Sequence, residues 1–204
     1  MGGGSMGRAL AFVMVLIVGL SSLASGGGNS DMRVAVHVMA HDPKRACENG
    51  IPEIEVCGDI VTTYAGHDVD CFPVFYDLVE YRGCEYGLSW PGTYTCVFTS
   101  CSDLVIGDIV EPGDGASHVW TDCRNGHAMI PGWAWIYEPG SAAICVVEHP
   151  TSNKVLSLDC NEGVDDPAFD PVCAGIGGTA GGNACYGYVS EDQTTWGSVK
   201  TLFR

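Results

Sequence analysis

Basic side chains are scarce in this 204-residue chain. Nine Lys and Arg stand against 25 Asp and Glu, a net charge of −16. That balance argues against nucleic acid and anionic lipid as partners, because both are held by cationic patches that neutralise phosphate. It fits an acidic surface that resists self-association. After the N-terminal segment no apolar run approaches the ~20 residues that a membrane-spanning helix needs. No Cys-x-x-Cys pair occurs, and Cys96 and Cys101, the closest cysteines, have no second pair to complete a thiolate zinc site. Between Val34 and Cys160 no convincing 3.6-residue apolar repeat appears, so long helices are not expected there.

Catalytic signatures are missing as well. His37 and His41 have the spacing of a His-Glu-x-x-His zinc motif, but Val38 stands where the Glu belongs. Their segment reads as a strand, which sets the two rings roughly 13 Å apart. The stretch from Gly115 to Val119 and the stretch from Gly87 to Pro91 each lack the closing glycine of the Gly-x-Ser-x-Gly elbow, although the first sets Ser117 beside His118. Gly175, Gly177 and Ala180 match a dinucleotide fingerprint with no strand-to-helix context around them, so they read as a flexible loop.

What is present begins with a leader. Arg8 precedes an apolar run from Ala9 to Leu20, followed by Ser22 and Ala24 at the spacing of a signal-peptidase site. Residues 1–24 are therefore expected to be a signal peptide, with an uncleaved anchor as the competing reading, and residues 25–33 a flexible leader. About 180 residues remain, the size of one domain. Eleven cysteines follow the leader, and export makes disulfides their default state. The expected bridges number about five and involve Cys47, Cys57, Cys101, Cys123, Cys145, Cys160, Cys173 and Cys185. Sequence proximity suggests Cys47 with Cys57, Cys101 with Cys123, Cys145 with Cys160 and Cys173 with Cys185, although spacing does not determine connectivity. The odd count leaves one thiol free or linked to a second chain, so a disulfide-linked oligomer is an expectation.

Short β-rich runs alternate with turn formers along residues 34–160. Val34, Val36, Val38 and Ala40 alternate with Ala35, His37, Met39 and His41. Further runs span Ile60–Tyr64, Val74–Tyr81, Glu85–Trp90, Thr93–Thr99, Leu104–Val110, His118–Cys123, Ala128–Tyr137, Ala143–His149 and Val155–Cys160. Pro91-Gly92, Asn125-Gly126 and Pro139-Gly140 punctuate them. This pattern predicts an all-β fold: a disulfide-stapled β-sandwich or jelly roll over 34–160. Residues 161–204 read as a loop-rich, Gly-rich C-terminal segment, packed on the domain or trailing from it. Trp196, Val199 and Phe203 are spaced as one stripe of a short helix there.

Gly83 to Pro91, Pro112 to His118 and the tail Thr194 to Arg204 resemble stretches of uncharacterised exported Cys-rich proteins of uncultured bacteria. The strand plan also resembles cohesin-type sandwiches. That likeness implies the fold and carries no partner with it.

Two groups of residues are candidates for a site. Trp133, Trp135 and Tyr137 share one strand face, either as core or as a platform that stacks on sugar rings or a protein. Asp159, Asn161, Asp165 and Asp166, with Glu162 and Asp170 nearby, crowd a loop with the oxygen donors Ca²⁺ takes, although the EF-hand order fails. No other cofactor is expected. The chain therefore reads as a secreted, non-enzymatic binding or cell-surface structural protein with a glycan or extracellular protein as ligand. The alternative is a secreted hydrolase whose site assembles from separate loops.

Overall fold

The computed structural model describes residues 28–91, 96–137, 140–168 and 170–185. The expected signal peptide and the C-terminal helix stripe lie outside these residues. Within them the chain is all-β, apart from one short 3-10 turn at Cys57–Asp59.

The strands are β1 (Arg33–Ala40), β2 (Thr63–Tyr64), β3 (Asp68–Tyr76), β4 (Glu80–Ser89), β5 (Cys96–Ser100), β6 (Leu104–Gly107), β7 (Gly115–Asn125), β8 (Ala128–Met129), β9 (Gly132–Tyr137), β10 (Ala142–Val147), β11 (Leu156–Leu158), β12 (Val164–Asp165) and β13 (Ala174–Ile176). They form two sheets. The first runs β1-β3-β9-β5, with β8 also on β3. The second is centred on β4. On one side of β4 lies β7, followed by the edge strand β6. On the other side β10 and β11 lie end to end, extended by β13 and β2 and by β12 respectively. All pairings are antiparallel except β13 with β2. Thus β12 and β13, from the expected C-terminal segment, complete the second sheet.

The alternation in β1 sends Val34, Val36 and Val38 into the space between the sheets. There they join Val69, Cys71 and Phe75 of β3, Tyr86 and Leu88 of β4, Trp120 of β7 and Ile144 of β10. β3 is apolar on both faces because both are buried for most of its length. Pro73 is tolerated in this central strand because β9 pairs only with Asp68 to Cys71 and β8 only with Phe75 and Tyr76. The proline sits in the gap, where the missing N–H is not needed.

The run Val74–Tyr81 is not one strand. It crosses a reversal at Asp77, whose φ of 60° lies in the left-handed region, and β4 starts only at Glu80. The branched side chains of the turn imitate a strand, while a short polar Asp tolerates the turn geometry. Likewise Ala128–Tyr137 is broken at Ile130-Pro131 into β8 and β9.

A second apolar layer covers part of the outer face of the first sheet. Ile54, Cys57 and Ile60, with Ala184 from the C-terminal region, lie over Ala35, Phe72, Val74, Tyr76 and Trp133. Disulfides explain this cover. The eight cysteines expected to pair do form bridges, but with other partners: Cys47–Cys101, Cys57–Cys185, Cys123–Cys160 and Cys145–Cys173. None of the four proximity pairings occurs, because the strand crossovers bring distant segments together. Four bridges form instead of about five.

The remaining thiols, Cys71, Cys84 and Cys96, are all buried. Burial raises all three, Cys71 and Cys84 far above the ordinary thiol range and Cys96 to about 12, with neighbouring acids adding to the effect. The cysteines left over by pairing are therefore interior residues and not surface thiols.

Candidate functional site

The outer face of the first sheet has a covered half and an open half, and β9 runs from one to the other. Gly132 opens that strand against β5 so closely that a Cβ there would collide with the Thr99 carbonyl oxygen. Trp133 follows in the covered half, only 5% exposed and tilted against Phe72 at 6.2 Å between ring centroids. It is core and not part of a platform, a correction to the three-residue strip. Two residues on, Trp135 is 37% exposed, and Tyr137 is 51% exposed. Val97 of β5 lies directly across from Trp135 and is also exposed. The open half is therefore a patch of Val97, Trp135 and Tyr137.

Trp135 is held in place from two directions. Its indole N–H donates to Asp68 Oδ1 at 2.6 Å. Its ring stacks on His41, with centroids 4.6 Å apart and planes 20° from parallel. His41 is held in turn through Nδ1 to Asp70 Oδ1 at 2.8 Å. Asp70 is fully buried, and its other oxygen accepts from Arg45 Nε at 2.7 Å and the Asp42 N–H at 3.1 Å. Arg45 also lies over the Phe72 ring at 5.1 Å. A buried carboxylate with these donors satisfied ties the chain after β1 to the sheet and so fixes the floor under Trp135.

Sequence reasoning missed this hub. Its signal is an acid at Asp70 inside an otherwise apolar central strand, a position that calls for a cationic or hydrogen-bonding partner.

Searches with protein-family models and against curated proteins returned no match. A solved structure with a similar course is a type II cohesin domain from the cellulosome of Acetivibrio cellulolyticus. It is 11% identical, with a TM-score of 0.44, over 72% of this chain and 95% of that one.

In the acidic loop the side chains accept from backbone N–H groups or pair with other side chains. Asp159 Oδ1 accepts from the N–H groups of Asn161 and Gly163, and its Oδ2 accepts from Gly28. Asp165 accepts from the Asn29 N–H. Asn161 donates to Glu80, and Asp166 pairs with Lys154 at 3.3 Å. These side chains serve separate partners. Among the described residues the group that brings three ligand atoms within 4.8 Å of one another is Glu80, Cys123 and Cys160, whose two sulfurs are bonded to each other.

A Ser–His contact does exist, but not the adjacent pair Ser117-His118. His118 Nδ1 meets Ser102 Oγ at 3.0 Å and Ser100 Oγ at 3.3 Å. The imidazole is fully buried, stacks on Tyr86, and leaves Nε2 without a partner. Burial lowers its pKa to about 4. Among the described residues no carboxylate bonds to this ring, which is what a nucleophile-activating His requires. His37 is likewise spent in the fold, its Nδ1 accepting from the Val61 N–H at 3.0 Å.

Proposed function

We propose that this chain is an exported, non-enzymatic binding module that engages a protein partner through Val97, Trp135 and Tyr137. The observation that supports the reading is the immobilised, part-exposed Trp135. An aromatic anchor whose rotamer is already fixed loses little freedom on binding, and Trp and Tyr dominate binding hot spots. A branched apolar neighbour and an aromatic one make the surface suited to close packing against another protein. Four disulfides fit an extracellular setting for such a contact. A glycan is the second reading, favoured by two exposed aromatic residues on one strand face.

The test compares wild type with Trp135→Ala in two assays: enrichment of exported proteins from the source culture, with each candidate then purified for titration, and a glycan array. A protein partner whose affinity falls about 30-fold or more in the variant, with the variant still folded by circular dichroism, supports the reading. Loss of an array signal instead assigns the patch to a glycan. Undiminished binding of every ligand by Trp135→Ala removes the patch from the function.

A further inference from the structure

The edges of the two sheets are not treated alike. The outer edge of β1 is covered: Val36 N–H donates to Val172 O, Val172 N–H to Val34 O, and Val38 N–H to Val61 O. The edge strands β2 and β12 have two residues each. The C-terminal end of β5 is flanked by Cys47, which bridges to Cys101. The strand β6 has none of these protections. It pairs only with β7, and among the described residues no other backbone group bonds to it. Leu104, Val105 and Ile106 are 50%, 39% and 40% exposed. Val105 lies beside His118 on one face of the sheet, and Leu104 and Ile106 lie beside Val119 and Ser117 on the other. An open edge with apolar side chains on both faces is what sheet proteins ordinarily avoid, because it templates pairing with another strand.

We infer that β6 is a strand-addition site for an extended segment of a partner protein that carries Lys or Arg at positions i and i+5 around apolar or β-branched residues. The charge pattern selects this occupant. Asp103 and Asp108 flank the strand and are exposed. Asp103 accepts from Thr121 N–H and Oγ1 of β7, which holds its carboxylate at that end of the strand. A second copy of this chain fits poorly. Antiparallel pairing of two β6 strands centred on Val105 or on Ile106 would bring each Asp103 within one residue of the partner strand's Asp108, which sets like charges close together at both ends of the pair. The net charge of −16 on each copy adds to that repulsion. Backbone hydrogen bonds would supply the affinity, and the flanking cations and apolar contact with Leu104 and Ile106 the selectivity. This site is separate from the Trp135 patch and does not depend on it.

The test uses the full chain and a fluorescent peptide, Lys-Val-Thr-Val-Thr-Lys, followed by anisotropy. Binding is expected, and replacing both Lys by Glu or introducing Ile106→Lys should weaken it roughly tenfold or more. Ile106 is 40% exposed, so the substitution should leave the melting curve in place. Two N-methylated peptides test the backbone. Methyl groups on one alternate set of amides should abolish binding, and on the other set should leave it, because only alternate N–H groups point at the edge. Trp135→Ala should bind the Lys peptide as wild type does, so failure of one site is distinguishable from failure of the other. No binding of the Lys peptide, equal binding of the Glu peptide, or tolerance of both methylation patterns overturns the inference. So does a dimer in sedimentation velocity that Ile106→Lys disperses, which would assign the edge to a second copy.

Discussion

Two positions along β9 separate a structural tryptophan from an exposed one. Trp133 lies beneath Ile54, Ile60 and Ala184, whereas Trp135 meets solvent on the same strand face. Trp133→Ala should therefore cost about 3–5 kcal/mol and Trp135→Ala about 1 kcal/mol in urea unfolding; equal losses would make Trp135 part of the core. The period of two in the sequence placed both rings on one face correctly, but it carries no information on what lies over that face. His118 gives a second prediction. Its folded pKa of about 4 lies below the ordinary 6.5, because burial disfavours the imidazolium. Between those values the unfolded chain binds the extra proton, so this stability is complete above about pH 6.5 and is lost as pH falls toward 4. The loss amounts to about 3 kcal/mol for a gap of that size. His37 is lowered in the same direction, chiefly by burial, and adds to the trend. Unfolding free energies measured from pH 7 to pH 4 should fall for wild type and fall less for His118→Phe. Parallel curves would mean that His118 is already accessible to protons in the fold.

Elements whose residues alternate in type were legible: β1, with Val34, Val36 and Val38 inward, and the middle of β7 and β10, where burial alternates. Elements whose ends depend on a turn were not, because Asp77 reverses the chain inside a run of strand-forming residues. The least legible element is the strap of residues around Cys57, since its position depends on a bridge to Cys185 at a sequence separation of 128. That bridge ties the 3-10 turn to the C-terminal region across the outer sheet face, beside Tyr76, whose hydroxyl donates to Ala184 O at 2.5 Å. Cross-linking over so long a loop removes much of the unfolded chain's freedom, about 4–5 kcal/mol in the chain-entropy picture. Replacing both Cys57 and Cys185 by Ala should lower stability by about that amount. It should also loosen the cover over Trp133, read as a red shift of tryptophan emission in the folded state. A stability loss without any spectral change would show that apolar packing alone keeps the strap in place.

At the scale of the whole molecule, eleven cysteines divide between two environments. Eight bridge the sheets, loops and C-terminal region, and three stay as thiols in the interior. Composition indicates an oxidising compartment but does not say which cysteines face the core, and an odd count alone could equally mean a surface thiol. The division follows from strand register. Cys71 on β3 lies among the inward residues Val69 and Phe75, Cys96 on β5 is in the same core, and Cys84 faces it from β4. Burial keeps these thiols protonated and out of reach, so thiol–disulfide exchange with the bridges requires unfolding. Native protein treated with iodoacetamide at pH 8 should therefore gain no label on Cys71, Cys84 or Cys96. The same treatment in denaturant without reductant should label those three, and reduction first should open all eleven. Labelling of Cys96 in native protein, ahead of Cys71 and Cys84, would show that the β5 edge opens locally while the rest of the sandwich stays closed.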